Sequence, residues 1–202
     1  MIQFTKDTAS EKYNTRLQTI FNAASEIFAE KGYHQASIRN IAKATGVSLG
    51  HLYYYFSNKE ELLYKISLNC FESVKFSCVE KLESATDSEE RLLIFIENHV
   101  SYFVNHLNEM KILAHESDSL TGDFNEEILE IKRNYISILE AIVMEINPKI
   151  TDPTIITFSI FGMMNWIYTW YNPKISSGIS QIVETIFQMA ISGIKNFELK
   201  KN

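Results

Sequence analysis

Apolar residues recur every three or four positions along most of the chain, and the pattern breaks at only a few places. Leu17, Ile20, Phe21, Ala24, Ile27 and Phe28 form one such stripe, predicting a helix that ends near Lys31 with Gly32 as its stop. Residues 1–12 are polar and read as a loose arm, although Thr8 and Glu11 have the spacing of a capping box. Two short runs follow. Ile38, Ile41 and Ala42 give the first a buried side, with Ser37 as its N-cap and Gly46 placed for the left-handed residue that closes it. Ser48 caps the second, whose Leu52 and Phe56 point inward and whose outer side carries Leu49, Gly50, His51, Tyr53, Tyr54 and Tyr55. Ser57 and Glu60 form a capping box ahead of a third helix, with Lys59 in its first turn. Leu62, Leu63, Ile66, Cys70 and Val74 extend that helix into the rest of the chain.

Beyond it, Thr86-Asp-Ser-Glu-Glu is a strong helix start for a run from Arg91 to about Asn108, and another helix is expected over Glu109 to Leu120. Thr121-Gly-Asp reads as a loop before an amphipathic helix from Glu126 to Ile146, which Asn147-Pro148 ends. Asp152-Pro153 supplies a cap and a first-turn proline for the next helix. From Thr154 to Tyr171 there is no charged residue, a length borderline for a membrane span of ~20 residues. Thr157, Ser159, Asn165 and Thr169 would be awkward in lipid, so the segment reads as a helix buried between neighbours. Ile179 to Phe197 is nearly as apolar. Gly162 and Gly193 lie inside these two segments, where a missing side chain allows close backbone approach. Two such helices call for a partner. They predict a homodimer seam formed by Phe158, Gly162, Ile182, Ile186, Met189 and Gly193, and no membrane partner.

Seven glycines and three prolines in 202 residues are few breakers, so the expected class is all-α. Two short helices joined by a glycine turn are a helix-turn-helix, and the second is sized for a major groove. The reading divides the chain into a three-helix DNA-binding domain over residues 1–57 and a helical ligand-binding and dimerisation domain over 58–202. A net charge of −6 argues against nucleic acid until it is divided. Residues 1–60 hold seven Lys/Arg against five acids, a net +2, leaving −8 for the remainder. A mildly basic head on an acidic body suits a modest, specific reader of double-stranded DNA and not a non-specific coat. Cys70 and Cys78 are about 12 Å apart on one helix at ~1.5 Å per residue, beyond disulfide reach. They are expected as buried thiols, and with no signal peptide at the start the reading is cytoplasmic. His99 and His106 are two turns apart without converging carboxylates, so no metal is expected. No nucleophile elbow or phosphate loop appears, so neither cofactor nor catalysis is expected.

From Ile41 to Leu62 the pattern I-A-x-x-x-G-V-S-x-G-x-L-Y-x-Y-F-x-x-K-E-x-L resembles the signature of TetR-type transcriptional repressors. One slot departs from it: Tyr55 stands where many members carry histidine. The resemblance implies that Ser37, Thr45, Tyr53, Tyr55 and Lys59 position phosphates and that Ser48, Leu49, Gly50, His51 and Tyr54 face base edges. Arg39 and Lys43 are either phosphate contacts or solvated. A dimer would set two reading helices roughly 34–36 Å apart over a palindromic operator.

The C-terminal aromatic and methionine residues serve either as ordinary core or as the walls of an apolar cavity. On the second reading Phe95, Phe103, Phe124, Tyr135, Met163, Asn165, Trp166 and Trp170 line a site for a small hydrophobic effector. Gly162-Met-Met-Asn-Trp-Ile-Tyr-Thr-Trp-Tyr-Asn-Pro173 resembles the C-terminal segment of TetR-type regulators of fatty-acid and sterol degradation. His115-Glu-Ser-Asp-Ser-Leu120 and the helix of Tyr135 are similar to the same group. That resemblance implies an acyl-CoA effector, although Asn172 stands where those proteins often carry a basic residue. The expected function is a repressor released from DNA by such a ligand. The alternatives are a ligand-independent DNA-binding regulator and a multidrug-type sensor of hydrophobic compounds.

Overall fold

A computed structural model describes residues 3–116, 119–172 and 178–198, side chains excepted at 3–10, 114 and 115. Every regular element among the described residues is a helix, with no strand among them. They form α1 (Gln3–Lys31), α2 (Ile38–Thr45), α3 (Leu49–Leu52), α4 (Lys59–Leu82) and α5 (Ser88–Asn105). Then follow α6 (Leu107–His115), α7 (Gly122–Ile146), α8 (Thr154–Asn165), α9 (Ile167–Trp170) and α10 (Ile179–Lys195). The all-α expectation holds.

Two compact units divide the chain. One runs through Asn69 and takes in Asn108–Glu126; the other comprises Cys70–Leu107 and the chain from Glu127 onward. In the first unit Ile20, Phe21, Ala24 and Phe28 of α1 are buried with Ile41, Val47, Leu52 and Phe56, the stripe that the helical spacing predicts. α1 begins at Gln3, so the expected polar arm is instead the first turns of the helix. Gly32 and Gly46 follow α1 and α2 at φ 79° and 65°, the left-handed conformation that glycine adopts without a Cβ penalty. Ser37 caps α2 by accepting from the Asn40 amide, while the Asn40 side chain returns a bond to the Ser37 N–H at 3.0 Å.

The cap of α4 differs from the expected one. Asn58 Oδ1 accepts from Glu61 N at 2.8 Å, and the Glu61 carboxylate accepts from Ser57 N and Oγ at 2.7 and 2.5 Å. Glu60 is thereby freed, and it accepts from Thr121 N and Oγ1, both at 2.8 Å. The segment 108–126 is tied to this unit a second time through Glu116, which accepts from Tyr33 N at 3.3 Å.

In the second unit α5 packs against α10, α8 and α9. Asp87 caps α5 with bonds from the Glu89 and Glu90 amides, as its sequence predicts. α7 starts at Gly122, four residues before the expected Glu126. The expected single helix over 154–171 is interrupted at Trp166. The Trp166 carbonyl accepts from both Thr169 N and Thr169 Oγ1, at 3.1 and 2.7 Å, which tightens the turn and separates α9 from α8. No helix of the described residues is long and apolar enough to cross a membrane.

Candidate nucleic-acid interface and effector region

Ser48 caps α3, its hydroxyl accepting from His51 N at 3.3 Å, and Leu52 anchors the helix in the core. Leu49, Gly50, His51, Tyr53 and Tyr54 are exposed, Tyr54 at 71%. A Cβ built on Gly50 would meet no atom within 4 Å, and the residue does not have positive φ. Nothing within the chain therefore demands glycine there. His51 stacks on Tyr54 with centroids 6.0 Å apart, and Tyr13 of α1 meets the edge of Tyr54 at 6.3 Å. Tyr13 belongs to this aromatic group and carries no local sequence signal. Ser37 and Arg39 are exposed at the start of α2. The Thr45 hydroxyl is turned back on its own helix, donating to Ile41 O at 2.8 Å.

Two residues expected on the outer surface lie inward. Tyr55 is only 5% exposed and packs on Tyr13 with centroids 5.0 Å apart. The cause is local: Tyr54 N and Tyr55 N bond to the carbonyls of His51 and Leu52, three residues back. A three-residue turn brings Tyr55 onto the same side as buried Leu52. Lys59 is the second. Its ammonium donates to the carbonyls of Tyr33, His34 and Ala36 at 2.9, 3.3 and 3.1 Å and lies 4.3 Å from the centre of the Tyr33 ring. That ammonium closes the loop between α1 and α2, where the sequence reading had it on a phosphate.

In the second unit the expected effector residues separate. Phe95 and Tyr135 are buried and stack at 5.0 Å, with Phe161 edge-on to Phe95 at 5.9 Å. Phe103 and Met163 are half-buried. Trp166 and Trp170 stand on the surface of the chain, Trp166 at 63%. Phe124 lies in the other unit, stacked on Tyr64 at 4.4 Å. Pro173 of the motif, and Ser117 and Asp118 with the His115 side chain, lie outside the described residues.

At the centre of the aromatic group is His99, which the sequence weighs only as a metal ligand or an ordinary surface or pocket histidine and which is not among the expected effector residues. It is buried between Phe95, Phe103, Tyr135 and Phe161, the Phe103 ring stacked on it at 4.0 Å. Its Nδ1 is 3.2 Å from the Tyr135 hydroxyl and its Nε2 is 3.0 Å from Asn165 Oδ1. Burial lowers its pKa to about 4, opposed by the bond to Asn165, so the ring is neutral near pH 7. The amide oxygen can only accept, which puts the proton on Nε2 and makes Nδ1 the acceptor of the Tyr135 O–H. Burial also raises the Tyr135 pKa.

Among the predicted seam residues, Phe158, Gly162, Met189 and Gly193 are exposed. Ile182 and Ile186 are not: both are buried in this chain's own core against its other helices. Cys70 and Cys78 are buried and not joined in a disulfide, and burial pushes the Cys78 thiol up to about 12.

A capped helix-turn-helix with an open reading face, followed by a helical domain, defines a DNA-binding regulator of two-part construction. Family models described as "Bacterial regulatory proteins, tetR family" and "Tetracyclin repressor-like, C-terminal domain" match residues 20–66 and 85–194. The chain belongs to the TetR family of DNA-binding transcriptional regulators, and it is not an enzyme. It is 28% identical over 188 residues to the Fatty acid metabolism regulator protein of Bacillus subtilis (strain 168), covering 88% of this chain and 94% of that one. The crystal structure of AibR in complex with isovaleryl coenzyme A and operator DNA is similar, with TM-score 0.78 and 26% identity over 86% of this chain and 97% of AibR. So is the fatty acid degradation regulator FadR from Bacillus halodurans, with TM-score 0.75 and 26% identity over 88% and 95% of the two chains.

Proposed function

We propose that this protein is a homodimeric repressor that reads a palindromic operator and is released from it by a fatty-acyl coenzyme A thioester. The observation that carries the DNA half is the α3 face, where Leu49, Gly50, His51, Tyr53 and Tyr54 are exposed and nothing in the chain requires Gly50 to be glycine. A backbone that a DNA strand approaches closely would require it. Ser37 and Arg39 at the start of α2 supply phosphate contacts, with Ser48 at the edge of the reading face. Dimerisation through α8 and α10 would hold two such faces about one DNA turn apart. We divide the chain functionally into a head over residues 1–57 and an effector and dimer body over 58–202.

The effector half rests on the likeness to AibR, whose structure holds an acyl coenzyme A, and on the aromatic group around Phe95, Phe103 and Tyr135. An effector shifts the equilibrium between two head spacings only by its differential affinity for them. The test titrates acyl-CoAs of rising chain length against a labelled operator. Each buried methylene contributes ~0.8 kcal/mol, so the concentration for half release should fall about fourfold per carbon until the site is full. Free coenzyme A should be inert. Release that ignores chain length, or no release, removes the acyl-CoA effector. The close stacking of Phe95, Tyr135 and Phe161 is also what a body serving only to dimerise would have. Native mass spectrometry separates the two readings, because a ligand-independent regulator would carry no acyl species.

A further inference from the structure

We infer that His99 is the group that recognises the effector's thioester carbonyl, with Asn165 holding its place until the ligand arrives. This rests on the acyl-CoA reading above and goes further, naming the atom that reads the polar end of the ligand. The imidazole is enclosed on three sides, by Phe95, Tyr135 and Phe161. Its remaining side is bounded by Phe103, half-buried, and by Asn165, an exposed residue at the last position of α8. These are the two neighbours that can move into solvent without opening the core.

The hydrogen-bond polarity fits a carbonyl. Nε2–H is a donor whose present acceptor is the Asn165 amide oxygen at 3.0 Å, and Tyr135 O–H fixes that tautomer from the other side of the ring at 3.2 Å. A thioester carbonyl is also an acceptor-only group, so it can replace Asn165 Oδ1 without leaving a buried donor unpaired. The displaced Asn165 keeps two N–H donors that it can offer to the same oxygen. The neutral state of the ring favours an uncharged carbonyl over a free carboxylate, which would lose its hydration without gaining a cation.

The test compares a long-chain acyl-CoA with the S-alkyl thioether of coenzyme A of equal chain length, which lacks only the carbonyl. Operator release is measured with each, and the ratio of half-release concentrations cancels any change in operator affinity. The wild-type protein should favour the thioester by about tenfold, the scale of one well-made hydrogen bond in a buried site. His99→Phe preserves a planar ring but has no N–H, so it should bring the ratio to about one. His99→Gln keeps a donor and should restore part of it. Equal release by both ligands in the wild type, or an undiminished ratio in His99→Phe, overturns the role of His99 while leaving the acyl-CoA effector standing. If neither ligand releases the protein, the effector reading itself falls. The wild type supplies its own second readout. Nitrogen-15 spectra of His99 should shift at Nε2 on addition of the thioester and stay unmoved with the thioether, and a resonance indifferent to the thioester rejects the assignment.

Discussion

Removing the Tyr54 ring should cost operator recognition and little stability, because the ring is 71% exposed and, of its ring neighbours, only Tyr55 is buried while His51 and Tyr13 are at the surface. Base-edge contacts are worth about 1–3 kcal/mol of discrimination each. Tyr54→Ala should therefore lower the ratio of operator to bulk-DNA affinity by at least several-fold in a competition assay; an unchanged ratio moves the reading face elsewhere. Lys59→Met should behave in the opposite way. Its ammonium satisfies three backbone carbonyls between α1 and α2, and charge-assisted bonds contribute about 1.5–3 kcal/mol each at most. We expect a loss of roughly 2–3 kcal/mol in urea unfolding and no change in the salt slope of DNA binding, since no phosphate contact is removed. A slope reduced by about one unit would return Lys59 to the phosphates.

At the scale of the element, α8 and α10 leave apolar surface uncovered in a single chain: Phe158 is 54% and Met189 61% exposed. Gly162 and Gly193 lie on these helices with open space where a Cβ would be, so a side chain starting at either position meets nothing of its own chain at its first atom. The double variant Gly162→Leu with Gly193→Leu should thus keep its helicity and sediment as a monomer. A dimer that survives both changes in analytical ultracentrifugation would put the seam on another face. What could be read beforehand here divides by range. Caps that depend on residues three apart, Ser37, Ser48 and Asp87, and the left-handed glycines at 32 and 46 were all legible in sequence. Glu60 and Glu61 compete for one cap, and the winner depends on Thr121, sixty-one residues away. Tyr55 turned inward because α3 ends in three-residue turns that apolar spacing does not encode. The place of His99 among the effector residues was not legible for a related reason: its partners are Tyr135 and Asn165, brought to it by α7 and α8. For Ile182 and Ile186 the apolar character was plain, but not which side of α10 faces the chain's own core.

Over the whole molecule, acid should act on the two units in separate pH windows. In the unit built on α5, the unfolded imidazole of His99 takes up its proton near pH 6.5 and the folded one only at about 4. Folding is therefore unaffected by this group above pH 6.5, and stability is lost progressively as the pH falls toward 4, by on the order of 3 kcal/mol. In the unit built on α1 to α3, the bonds that Glu61 accepts from the Ser57 hydroxyl and N–H hold its carboxyl at about 2 instead of 4.5, with Lys65 adding to them. Its contribution is complete above pH 4.5 and disappears only as the pH approaches 2. The chain has two tryptophans, Trp166 and Trp170, both in the His99 unit, so their fluorescence reports on that unit alone. Urea unfolding followed by tryptophan fluorescence should weaken between pH 6.5 and 4, and His99→Phe should flatten that dependence whatever its effect at neutral pH. Glu61→Gln should leave the tryptophan signal alone and remove part of the acid sensitivity that circular dichroism records below pH 4.5. A His99→Phe protein that loses stability over the same interval as the wild type would mean that the buried imidazole is not the group being protonated.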